Sequence, residues 1–119
     1  MKDLKEIIQE KLKVSSKTNI SKYQYFPKDY KELEKIVYDL IKERGDEADL
    51  NDIDTSKITD MERLFDDSNF DGNISNWDVS NVKDMAGMFG RSEFNSDISN
   101  WDVSNVTGMD YMFTKTNFN

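Results

Sequence analysis

The stretch "ISNWDVSNV" spans Ile74–Val82 and returns unchanged at Ile98–Val106, 24 residues later. Working outward from these copies, the same spacing aligns Leu50 with Ile74 and Ile98, Ile53 with Trp77 and Trp101, and Thr55 with Val79 and Val103. It continues through Ile58, Val82 and Val106, then Met61, Met85 and Met109, then Leu64, Met88 and Met112. Phe65, Phe89 and Phe113 follow, and Phe70, Phe94 and Phe118 close the series without an insertion. Self-similarity at a fixed period of this size marks a stack of repeats in which each unit buries its apolar residues against the next.

Each unit divides into two patterns. Around Trp77, apolar Trp77 and Val79 alternate with polar Asn76, Asp78 and Ser80, which predicts a short strand with one buried face. Val82, Met85, Ala86, Met88 and Phe89 then fall at helical spacing, and Ser80 or Asn81 is placed to cap that helix. The expected fold is therefore α/β: a short right-handed leucine-rich-repeat-like solenoid of three strand–helix coils with a small parallel sheet.

Ahead of the repeats, residues 1–22 read as an amphipathic helix at 2–14 and a polar linker. Residues 23–48 read as a capping segment: an extended piece at 23–26 before Pro27, then a helix from Asp29 to Arg44. Asp29 and Glu32 have capping-box spacing, and Gly45 sits where a helix C-cap belongs. This helix is expected to lid the first of the three repeats in 49–119.

Composition narrows the function. The 119 residues include no His and no Cys, so the commonest general base, thiolate metal sites and disulfides are all missing. The expectation is a non-enzyme with no cofactor. Residues 45–119 hold 5 Lys/Arg against 16 Asp/Glu, a charge of −11, whereas residues 1–44 carry +3. Such a surface repels phosphate backbones, so direct nucleic-acid binding is not expected and a basic protein is the natural partner. With no apolar leader, no membrane-length stretch and no lipid-accepting Cys, a cytoplasmic location is expected, or an extracellular surface if the chain is a fragment.

The phrase "ISNWDVSNVxxMxxMFxxxxFN" within residues 50–119 resembles the BspA-like leucine-rich-repeat family of bacterial surface proteins, in which Trp-Asp-Val-Ser-Asn-Val recurs. The resemblance implies a repeat module that binds proteins and performs no chemistry. An adhesin fragment is one form of that reading. Apart from the resemblance, the small size, the missing export signal and the charge of −11 on residues 45–119 suit a cytoplasmic phage or mobile-element inhibitor, an acidic decoy of a nucleic-acid enzyme of the anti-CRISPR type.

Candidate contact residues follow from the pattern. Asp54, Asp78 and Asp102 should project from the outer strand face as an acidic ladder, flanked by Asp52, Asn76 and Asn100. They either dock cations of a partner or accept backbone N–H groups locally. The last repeat should expose one side of Trp101, Val103, Met109, Met112 and Phe113, offering an end for a partner or a second copy. Asp67, Asn69, Asp71 and Asp78 match part of a calcium loop, but Phe70, Ile74 and Asp78 already have repeat roles, which argues against a metal. Asn19, Asn73 and Asn105 begin glycosylation sequons.

Overall fold

Tyr30–Arg44 forms the helix that its apolar stripe predicts, here α1. Asp29 stands at its N-cap and accepts a hydrogen bond from the Glu32 N–H at 3.0 Å. Glu32 returns the contact one residue earlier than a capping box would, accepting from the Lys28 N–H at 2.8 Å. Gly45 ends the helix at φ 94°, and its N–H donates to the Ile41 carbonyl. Leu33, Val37 and Leu40 are buried in the same core as the repeats.

The computed structural model describes residues 22–116. The expected helix at 2–14, most of the linker, Asn19 and Phe118 lie outside these residues. After α1 the chain makes three stacked coils. Backbone hydrogen bonds run between them at near-constant offset: Met61, Arg63, Phe65 and Asp67 donate to the carbonyls of Asp84, Ala86, Met88 and Gly90 at 2.8–3.0 Å. Met85, Gly87, Phe89 and Arg91 repeat the pattern onto Gly108, Asp110, Met112 and Thr114. Side chains strap the same coils together. The Trp77 indole N–H donates to the Leu50 carbonyl at 2.9 Å, and Trp101 does the same to Ile74 at 3.0 Å. Asn81 donates to the Ser56 carbonyl, and Asn105 to that of Ser80. The extended piece before α1 joins the stack through a parallel bridge between Tyr25 and Ile53.

The columns expected to be apolar form the core. Phe65, Phe70, Phe89, Phe94, Met61, Met85 and Met88 are at most 1% exposed. Phe65, Phe89 and Phe113 stack with centroids 5.7 and 5.6 Å apart and planes within 7°. Phe70 and Phe94 stack beside them, 4.7 and 4.3 Å from Phe65 and Phe89. Thr55, which replaces a valine in its column, is buried and donates its hydroxyl to the Asp78 carbonyl at 2.9 Å.

The strand–helix solenoid with a small parallel sheet is not the observed fold. Among the described residues α1 is the only helix, and pairing between coils is limited to isolated bridges such as Asp60–Asp84 and Asp84–Gly108. Two features defeat the expected elements. Around Trp77 the backbone closes local turns, with Trp77 N–H bonded to the Ile74 carbonyl and Val82 N–H to Val79. Along 82–91, Gly87 and Arg91 take positive φ of 63° and 52°, and the same is true of Arg63 and Asp67 one coil earlier and Tyr111 and Lys115 one coil later. Left-handed residues cannot continue an α-helix. The N–H groups of Met85, Gly87 and Phe89 therefore go to the next coil instead of back along their own turn.

Of the described glycines, Gly72 has the least room for a side chain. A Cβ there would collide with the Ala48 carbonyl oxygen and stand 2.5 Å from the Phe70 ring. Gly72→Ala should therefore destabilise the protein by about 1–3 kcal/mol or more, through overpacking against backbone that cannot yield. Urea denaturation will measure it, and an unchanged midpoint would mean the two coils are not in contact there.

Candidate functional site

The acidic positions sit at corners of the coil, and each corner is built by the carboxylate itself. Asp54 accepts the Ser56 N–H at 3.0 Å, Asp78 that of Ser80 and Asp102 that of Ser104. Asp49, Asn73 and Asp97 do the same for Asn51, Ser75 and Ser99, and Asp60 and Asp84 for Glu62 and Ala86. A short side chain bonding the backbone two residues on is an Asx turn. Of the two roles considered for Asp54, Asp78 and Asp102, these bonds make the local one: their oxygens hold the turn, and Asp78 and Asp102 are exposed. Hydrogen bonds from Ser104, the side chain first and then the backbone, hold the Asp102 carboxyl below its ordinary value. Ser99 does the same for Asp97.

Their flanking residues differ. Asp52 is occupied, pairing with both guanidinium nitrogens of Arg44 at 3.0 and 3.1 Å. That bond is the main reason its carboxyl lies below the usual value, with burial acting the other way. Asn76 and Asn100 are exposed, and the Asn76 backbone N–H donates to the Asn51 side chain at 2.9 Å.

The calcium-loop residues have structural work. Asp71 accepts the Asn95 N–H at 2.8 Å and the Ser96 hydroxyl at 2.7 Å, tying two coils together. Asp67 occupies a left-handed turn position. Among the described residues the carboxylates that converge within 4.8 Å are Asp60, Glu62 and Asp84 instead.

The far side of the third coil is more open than its predecessors. Val103 is 36% and Met109 43% exposed, whereas their counterparts Val79 and Met85 are 1% and 0%. Trp101 and Met112 are nonetheless buried and Phe113 is partly so, hence only part of the expected end is available. Tyr111, in the same coil, is 77% exposed and was not among the expected contacts.

The sequence reading also missed a cationic cleft of about 400 Å³ that runs across all three coils. Arg63, Arg91 and Lys115 line it over a floor of Gly87 and Gly90. Asp66 clamps Arg91 at 2.8 Å, while Arg63 and Lys115 form no ion pair among the described residues. Three of the five cations in residues 45–119 therefore share one cleft, chemically suited to a carboxylate or phosphate. The signal was present in the repeat: Arg91 and Lys115 share one 24-residue column, and Arg63 stands above Gly87 in another.

A stack of 24-residue coils held by Asx turns, with acidic corners, is the class of protein these features define. A family model described as "Mycoplasma protein of unknown function, DUF285" matches residues 31–119, and the chain belongs to that family. No curated protein and no solved structure matches it.

Two measurements check the corners and the ion pair. Asp54→Asn should be near neutral because the amide oxygen can accept the same N–H, whereas Asp54→Ala should cost about 1 kcal/mol. Equal losses would show that charge and not the turn bond matters. For Asp52, the folded carboxyl lies below its ordinary 3.8. Its contribution is thus complete above that pH and vanishes as pH falls through the depressed folded value. Asp52→Asn should lower stability by about 1 kcal/mol at neutral pH, with the deficit closing below pH 3.8. A deficit that stays constant into acid would sink the ion-pair account.

Proposed function

We propose that this chain is a non-catalytic protein-binding module, akin in role to BspA-like repeat proteins, and that it meets its partner through the outer side of the third coil. The observation that carries this reading is the exposure of Val103 and Met109, whose counterparts in the two earlier coils, Thr55, Val79, Met61 and Met85, are all buried. Apolar side chains grouped on one surface favour contact over solvent. The corner carboxylates support the non-catalytic half of the reading, since they are committed to turns.

A second reading has its own observation. The charge of −11 on residues 45–119 favours a basic partner, as an acidic decoy of a nucleic-acid enzyme would require. Among the described residues no helix is long and apolar enough to cross a membrane, so neither reading relies on such a span.

Photo-crosslinking separates these proposals. A crosslinker at Met109, introduced into the folded chain in an extract of the native host, should yield a discrete protein adduct. One at Lys57 should not. Val103→Lys should abolish the adduct, by about the 2 kcal/mol or more that marks an interface hot spot, while leaving the urea midpoint nearly unchanged. Equal labelling from both positions would sink the third-coil surface. An adduct that disappears in molar salt favours the acidic decoy, and one that persists favours apolar contact.

A further inference from the structure

We infer that the outer edge of the third coil is built to receive one more coil of the same 24-residue pattern and not a second copy of this chain. The inference rests on the reading of that edge as a contact surface, and it follows from the direction of the backbone. In the run 61–67 the N–H groups of alternate residues all point forward to coil two, and in 85–91 they all point forward to coil three. The carbonyls of 84, 86, 88 and 90 point back to accept them. This run is one-way, unlike an ordinary strand edge, which presents donors and acceptors in turn.

The two ends of the stack are therefore unlike. In the third coil the N–H groups of Met109, Tyr111 and Lys115 stand at the donor positions and donate to nothing among the described residues. At the other end, the carbonyls of Asp60, Glu62, Leu64 and Asp66 are the matching acceptors and receive no hydrogen bond among the described residues. That acceptor side lies beneath α1. Burial, then the charge and hydrogen bond of Glu34, then Asp60 and Glu62 push the Tyr30 phenol up to about 12, which puts the start of the helix beside that edge. Further along, Val37, Tyr38 and Ile41 face Arg63, Leu64 and Phe65 across a shared cleft.

Self-association by backbone pairing fails in both arrangements. Head to tail, α1 of the second copy stands in the way of its acceptors. Tail to tail, a run of donors meets a run of donors. The occupant that fits presents carbonyls at every second residue and apolar cover for Val103 and Met109. Those are the properties that coil three presents to coil two, so the new contact continues an interface the structure already makes twice.

Hydrogen exchange tests this on the chain as it stands and on one carrying a second copy of residues 93–116 inserted after Thr116. In the first, sedimentation should show a monomer, with the amides of Met109, Tyr111 and Lys115 exchanging faster than those of Met85, Gly87 and Arg91. In the second, the three fast amides should slow by about tenfold or more, and fast exchange should move to their copies. A dimer whose Met109, Tyr111 and Lys115 amides are protected overturns the inference. So does an added coil that leaves them fast. If crosslinking still captures a protein at Met109 while the added coil leaves these amides fast, the binding-module reading stands and this inference falls.

Discussion

Everything in this molecule depends on the three coils having the same length. Because the period is a constant 24 residues, each ring meets its own kind one level up, and Phe65, Phe89 and Phe113 lie nearly parallel at 5.6–5.7 Å. That distance exceeds the roughly 4.7–4.9 Å between paired strands, so successive rings are displaced by more than the backbone spacing. The same register delivers the Trp77 and Trp101 indoles to equivalent carbonyls. One residue gained or lost within a coil would displace every ring, indole and ladder bond above it. The stack tolerates exchange of Ile53 for Trp or Thr55 for Val within a column far better than it would tolerate an insertion.

What replaces helix and strand in the coils is local side-chain bonding. Ser, Asn and Asp compete with regular structure by offering the backbone another partner. Here three columns of them do so at fixed places, before Leu50 and Thr55 and their equivalents in every coil and before Met61 and Met85 in the first two. Between the corners, paired left-handed residues such as Arg63 and Asp67 pull alternate N–H groups out of the coil's own turn and aim them up the stack. The coils replace regular secondary structure with backbone bonds to one another and to these corners, and no buried side-chain polar atom among the described residues lacks a partner.

The apolar columns, the helix Tyr30–Arg44 and its Asp29 cap were legible because burial and capping leave periodic signatures. The type of element inside each coil was not. Met85, Met88 and Phe89 have helical spacing, but spacing reports which residues face the core and not which hydrogen bonds the backbone makes. Only Gly87 hinted at a left-handed position, since its column mates Arg63 and Tyr111 adopt the same φ without a glycine's freedom. The cationic cleft escaped notice for a different reason: its residues come from all three coils and mean little until those coils are stacked.

Stacking also explains how so acidic a chain stays folded. A carboxylate repeated in one column faces its own charge one coil away. Most acidic columns are diluted accordingly. Asp52 is followed by Asn76 and Asn100, Asp71 by Asn95, and Asp67 by Arg91 and Lys115. Asp60 and Asp84 are followed by Gly108, where any Cβ would stand 2.7 Å from an Asp84 oxygen. The column of Asp54, Asp78 and Asp102 departs from this rule and keeps a carboxylate at every level. It can do so because Ser56, Ser80 and Ser104 recur with it and each supplies an N–H, joined at Ser80 by a hydroxyl 2.6 Å from Asp78. An asparagine would close the same turn without the repulsion. The turn therefore accounts for an oxygen at each of these positions but not for the charge. That surplus of negative charge, aligned along the stack on its exterior, gives the idea of a basic partner its physical content.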